Sequence, residues 1–172
     1  MLRCVNLENH IDINMLIDRK KLHVVKKLKR SGNVDAMTML GIFYYFYKAQ
    51  YNKGVCLLFR AHRRKYNLAT YALAVVQQIN SKCNGFAILA EIAAEQNAAD
   101  ILHGLRVKFL RLVPNPLFGL DIKCKMLCNE VAYSHWLHRP EIPELYFFQF
   151  IECIRCIIDI EMATLCYYAA LN

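Results

Sequence analysis

Apolar residues recur along this 172-residue chain at helical spacing almost throughout, and the polar positions fall between them as recurrent stops. Over residues 13–28, Ile13, Leu16, Ile17, Val24, Val25 and Leu28 fall near one stripe with lysines opposite, and Gly32 follows as a natural terminator. Asn then punctuates the chain. Asn33 precedes an apolar run through Tyr47, Asn52 one through Phe59, and Asn67 one through Ile79, while Asn84 and Asn97 open the next two. Asn is a favoured N-cap because its side-chain oxygen accepts from an otherwise unpaired N–H of the first helical turn. The pattern predicts five helices after the first, each about 11–16 residues and joined by short links, as in antiparallel helix pairs.

The same residues keep a period. Asn33 to Asn67 is 34 residues, Asn67 to Asn97 is 30 and Asn52 to Asn84 is 32. Two helices within about 34 residues is the length of a tetratricopeptide-type unit. Asp35-Ala36 with Met39-Leu40-Gly41 aligns with Ala69 and Tyr71-Ala72-Leu73-Ala74, and again with Ala99 and Ile101-Leu102-His103-Gly104. In the second helices, Gly54-Val55 with Leu57-Leu58 aligns with Gly85-Phe86 with Ile88-Leu89. Small residues at matched positions let helices approach closely, and stacking of pairs buries faces that one pair leaves open. The alternative is an irregular helical bundle with Asn in chance register.

Ser31-Gly32-Asn33-Val34-Asp35-Ala36 through Leu40-Gly41 and Tyr44-Tyr45 resembles the opening of Sel-one-like repeats, relatives of the tetratricopeptide repeat. Asn52-Lys53-Gly54-Val55 through Phe59-Arg60-Ala61 is similar to the second helix of that unit, and Tyr66-Asn67-Leu68-Ala69 restarts it. With Cys153 and Cys156 in a cysteine-bearing C-terminal segment, the chain resembles the repeat region of plant F-box proteins. That resemblance implies an all-α right-handed solenoid of two to three helical hairpins. The expected divisions are a basic N-terminal helix at 1–31, repeats at 32–113 and a helical tail at 114–172, whose last helix runs from Pro143 to Ala170. Only 31 residues precede Gly32, none of them proline, so the F-box that docks on the cullin-ligase adaptor is expected to be missing.

Charge divides the chain. Residues 1–125 hold 20 Lys+Arg against 8 Asp+Glu, and residues 126–172 hold 2 against 6. The densest basic stretch comprises Lys20, Lys21, Lys26, Lys27, Lys29 and Arg30, and a second surrounds Arg60 and Arg64. Either contacts an acidic partner or phosphates, or is a solvated face. No uncharged stretch approaches the roughly 20 apolar residues that span a bilayer, and the first residues lack the apolar core of a secretory signal. Eight cysteines in that context read as reduced thiols of a cytoplasmic or nuclear protein.

Candidate chemistry changes this picture little. His135, His138, Cys153 and Cys156 have soft-ligand character suited to zinc, with Cys124, Cys128 and Cys166 nearby in sequence. The segment from Cys153 to Cys166 reads as helix with no Gly or Pro for a knuckle turn, which puts Cys166 about 15 Å from Cys156 at 1.5 Å per residue. No metal or other cofactor is therefore assigned. Nucleophile elbows, metalloprotease pairs and phosphate-cradling glycine loops are absent from the sequence. His62 and His103 read as satisfied helix histidines, Glu91 and Glu95 as solvated, and the run Phe43 to Tyr47 as core. The expected function is non-enzymatic partner binding on a concave face through Tyr44, Tyr47, Arg60, Arg64 and Tyr71, with basic groups steering an acidic peptide. The rival is nucleic-acid binding through the basic stretch.

Overall fold

The computed structural model describes Leu7, residues 13–79 and residues 85–113, with the side chains of Asn14 and Phe86 excepted. Among the described residues the protein is all-α, with six helices and no strands: α1 (Arg19–Arg30), α2 (Val34–Ile42), α3 (Tyr51–His62), α4 (Asn67–Ile79), α5 (Gly85–Ala93) and α6 (Ala98–Leu112). A 3-10 turn, Ile13–Ile17, precedes α1, and a π-helical stretch, Phe43–Tyr47, prolongs α2. The expected apolar stripe over 13–28 is therefore two elements. Asp18 breaks it, because its carboxylate accepts from the Lys20 N–H at 2.8 Å and caps α1. The break also alters the faces: Ile13, Leu16, Val25 and Leu28 are buried, whereas Ile17 and Val24 are 64% and 52% exposed.

The corner after α1 follows from its residues. Gly32 takes φ 87°, a conformation that glycine adopts without a Cβ penalty. Its N–H donates to the Lys29 carbonyl at 3.0 Å and the Asn33 N–H to the Leu28 carbonyl at 3.1 Å, the paired bonds of a Schellman ending. Asn33 then begins the next helix, its side-chain oxygen accepting from the Ala36 N–H at 2.8 Å. One residue thus closes α1 and opens α2.

The other expected Asn caps divide. Asn52 lies inside α3, whose cap position is Gln50 with no side-chain bond. Asn67 is the first residue of α4, and the Tyr66 carbonyl accepts from the Thr70 N–H instead. Asn97 stands before α6 in the left-handed region, φ 61° and ψ 34°, and its side chain makes no capping bond. Asn tolerates that conformation better than most residues. Asn84 lies outside the described residues. Periodicity located the helices, but only Asn33 acts as the expected cap among those described.

Neighbouring helices approach closely where glycine removes the side chain between them. A Cβ on Gly54 would lie 2.8 Å from the Gly41 carbonyl oxygen and 2.9 Å from the Tyr45 nitrogen. A Cβ on Gly85 would lie 2.5 Å from the Ala74 carbonyl oxygen and 3.2 Å from the Gln78 side chain. In both crossings a glycine of the second helix sits on a small residue of the first and on the residue four positions later, one helical turn on. Gly104, aligned in sequence with Gly41, meets no described atom within 4 Å at its Cβ position.

Helix α4 is the centre of the body. Leu68 through Val76 are buried without interruption, which leaves no solvent face over that stretch and matches its lack of charge. Phe109 of α6 joins the layers: its ring meets Tyr71 of α4 at 5.6 Å and Phe46 of the π-helical stretch at 5.9 Å. Tyr47 stacks on Phe43 at 5.6 Å, and its hydroxyl reaches the Leu112 carbonyl at 3.5 Å. The dense aromatic run is thus largely core, as its composition predicts.

Candidate functional site

Helices α1 and α3 both pack on α2 and leave an open groove of about 430 Å³ lined by residues of all three layers. Lys26, Lys29 and Arg30 come from α1, Lys53, Cys56, Leu57 and Arg60 from α3, and Leu40 and Tyr44 from α2 and its π-helical continuation. Helical spacing builds each wall. Val25 and Leu28 fix α1 to the core, which turns the adjacent positions 26, 29 and 30 toward the groove margin. On α3, Gly54 and Leu58 face α2, while positions 53, 56, 57 and 60 repeat at the three- and four-residue intervals of one face.

The groove is a field of one sign. Its lining holds five cationic side chains and no carboxylate. Over residues 19–65 the sequence carries 13 Lys+Arg and a single acid, Asp35. That acid accepts from the Leu7 N–H at 3.0 Å and does not line the groove. Among the described residues no carboxylate pairs with Lys26, Lys29, Arg30 or Arg60. Lys53 is held in place: its Nζ stands 3.7 Å from the Tyr44 ring centroid and donates to the Gln50 Oε1 at 3.2 Å. A cation over an aromatic face is attracted by the ring quadrupole, so Tyr44 presets one wall of the groove.

The expected site residues are redistributed by the fold. Tyr44 and Arg60 share the groove with Lys26, Lys29 and Arg30, so the two basic stretches meet at one place. Lys20, Lys21 and Lys27 are exposed on α1 outside the lining. Arg64 instead donates to the Gly32 carbonyl at 2.6 Å, tying the end of α3 to the α1–α2 corner. Tyr47 is partly buried against Phe43. Tyr71 has no exposed surface and cannot contact a partner; its place between α4 and α6 makes it a core residue. Sequence reasoning missed Lys53, Cys56 and Leu57. Their spacing from Arg60 was a usable signal, since 53, 56 and 60 fall on one helical face.

His62 joins neighbouring helices and His103 a neighbouring arginine. The His62 Nδ1 lies 3.0 Å from the Thr70 hydroxyl and its Nε2 3.9 Å from the Glu91 carboxylate, linking α3, α4 and α5. Thr70 is buried, and its hydroxyl also donates to the Tyr66 carbonyl at 3.3 Å. The His103 Nδ1 is 2.9 Å from the buried Arg106 guanidinium. Among the described residues no group of three or more His, Cys, Asp or Glu side chains gathers as a metal site, and no helix is long and apolar enough to cross a membrane. Cys124, Cys128, His135, His138, Cys153, Cys156 and Cys166 lie outside the described residues, as do the acidic tail and the helix expected from Pro143. Comparisons with protein-family models, with curated proteins and with solved structures find no match.

Proposed function

We propose that the protein is a non-enzymatic helical-repeat scaffold that binds an acidic protein segment in the groove between α1 and α3. The observation that carries this reading is the convergence of five cations, with an oriented aromatic ring and without a carboxylate, on one open concavity. Each unneutralised cation raises the local potential, and their shared groove draws anionic groups to the place where Leu57 and Tyr44 leave small apolar edges. The repeat architecture, and with it the resemblance to Sel-one-like units, is supported by the two crossings in which Gly54 and Gly85 meet Gly41 and Ala74 in the same way.

The test is fluorescence anisotropy of a labelled Glu- and Asp-rich peptide against the full chain. Binding that falls when Lys29→Glu and Arg60→Glu are combined supports the reading; binding unaffected by that pair removes the groove from it. A second reading, nucleic-acid binding, rests on Lys20, Lys21 and Lys27, whose exposure continues the basic surface beyond the groove. It predicts that affinity for a random single-stranded oligonucleotide falls steeply with salt, because each phosphate contact releases counterions. It also predicts that Lys20→Glu with Lys27→Glu costs as much affinity as the groove pair.

A further inference from the structure

The groove has more cationic charge than a run of carboxylates matches at one point, and from this we infer that it is a phosphate site: it takes a phosphomonoester carried on an aromatic or apolar group, as in a phosphorylated side chain of a partner protein. The inference rests on the proposed protein-binding role and names the group recognised.

Three observations converge. Lys26, Lys29 and Arg30 of α1 and Lys53 and Arg60 of α3 line one concavity, with no carboxylate among its lining residues. A carboxylate brings one negative charge and two oxygens. A phosphomonoester brings about 1.5 to 2 negative charges and three acceptor oxygens, and so has acceptors for several cations at once. Arg30 and Arg60 supply planar forks suited to phosphate oxygens, one from each wall.

The lining is also not only cationic. Leu57 and the Tyr44 ring, both mostly buried, each leave a small apolar edge beside the charges. Inorganic phosphate leaves that surface uncovered, whereas an aryl phosphate covers it while its dianion meets the cations. Finally, the concavity of about 430 Å³ has the size of a side-chain or small-ligand pocket. Lys53 is pre-positioned by Tyr44 and Gln50, so part of the ordering cost of binding is met before the ligand arrives.

The experiment uses the full chain and four probes: phenyl phosphate, inorganic phosphate, benzoate and a labelled single-stranded oligonucleotide. Binding is read by calorimetry and by protection of Cys56, the exposed thiol on the groove wall, from alkylation mapped by mass spectrometry. Phenyl phosphate is expected to bind roughly tenfold or more tightly than either benzoate or inorganic phosphate, because it alone combines the dianion with an apolar body. It is expected to slow Cys56 alkylation, and Lys29→Glu with Arg60→Glu is expected to abolish both effects. The control pair Lys20→Glu with Lys27→Glu, of equal charge change but outside the lining, is expected to alter affinity less than about twofold. Lys29→Gln with Arg60→Gln provides a milder pair should the reversal disturb folding, which circular dichroism checks.

The groups facing the ligand are Lys26, Lys29 and Arg30 of α1, Tyr44 of the π-helical stretch, and Lys53, Cys56 and Arg60 of α3. Because the second proton of a phosphomonoester leaves near pH 6, affinity is expected to rise from pH 5 to pH 7. Benzoate, already ionised over that range, lacks this rise. Equal affinity for phenyl phosphate and benzoate, or binding without Cys56 protection, overturns the inference. If a Glu-rich peptide still binds through Lys29 and Arg60 in that case, the proposed scaffold role stands without it; loss of both removes both. Oligonucleotide binding weakened equally by both charge pairs, with no Cys56 protection by phenyl phosphate, overturns it in favour of nucleic acid.

Discussion

The α2–α3 and α4–α5 crossings are alike at their closest point and unlike everywhere around it. In each, a glycine backs onto a small residue, Gly54 on Gly41 and Gly85 on Ala74. Yet α4 is buried along most of its length and uncharged, and Glu91 is the sole charged residue of α5. The first crossing is flanked by α1 and bordered by cations, with α2 as the floor of a groove. Close helix approach is therefore separable from surface chemistry. The crossing is set by the absence of a Cβ, whereas the groove is set by what the neighbouring helices project beside it.

The comparison is most directly broken at the glycines. Gly85→Ala and Gly54→Ala each force a methyl group to within 3 Å of backbone atoms, an overpacking that costs about 1–3 kcal/mol. Both variants should lower the denaturant midpoint without changing the slope, and a midpoint within error of the parent at either site would end the equivalence of the crossings. The next effect is at the corner between α1 and α2. Asn33→Ala removes a buried side-chain acceptor from the Ala36 N–H and is expected to cost about 1 kcal/mol in the same titration.

Gly104→Ala runs the other way. No described atom lies within 4 Å of its Cβ position, which with a helical backbone predicts stabilisation by about 0.5–1 kcal/mol, seen as a raised Tm. A loss of stability there would reveal a close crossing at the third aligned position. The smallest effect sharpens the distinction among the asparagines. Asn52→Ala, within an exposed first turn and without a capping role, should shift stability by less than about 0.5 kcal/mol.

Much of the fold was legible because helix formation is read from local spacing. The runs opened by Asn33 and by Asn67, and the order of helices through residue 113, follow from apolar periodicity alone. Caps were less legible. An Asn before an apolar run has the right chemistry at 33, 52 and 97, but only at Asn33 does the backbone bring its oxygen to an unpaired N–H. The candidate site was half visible. Tyr44, Arg60 and the α1 cations were identifiable as residue types, while Tyr71 went to the core because α6 places Phe109 against it.

By itself the sequence determined the helical class, the charge imbalance of residues 19–65 and the glycines that permit close crossings, since spacing, ionisation and a missing Cβ are properties of the residues themselves. Tertiary structure decided which cations meet. Lys29 and Arg60 are 31 positions apart, and their convergence depends on the left-handed turn at Gly32 and on the Gly41–Gly54 contact that together set α1 and α3 on α2. A shared groove is a relation between helices, and its geometry is fixed by the packing of buried faces; periodicity along any one helix does not contain it.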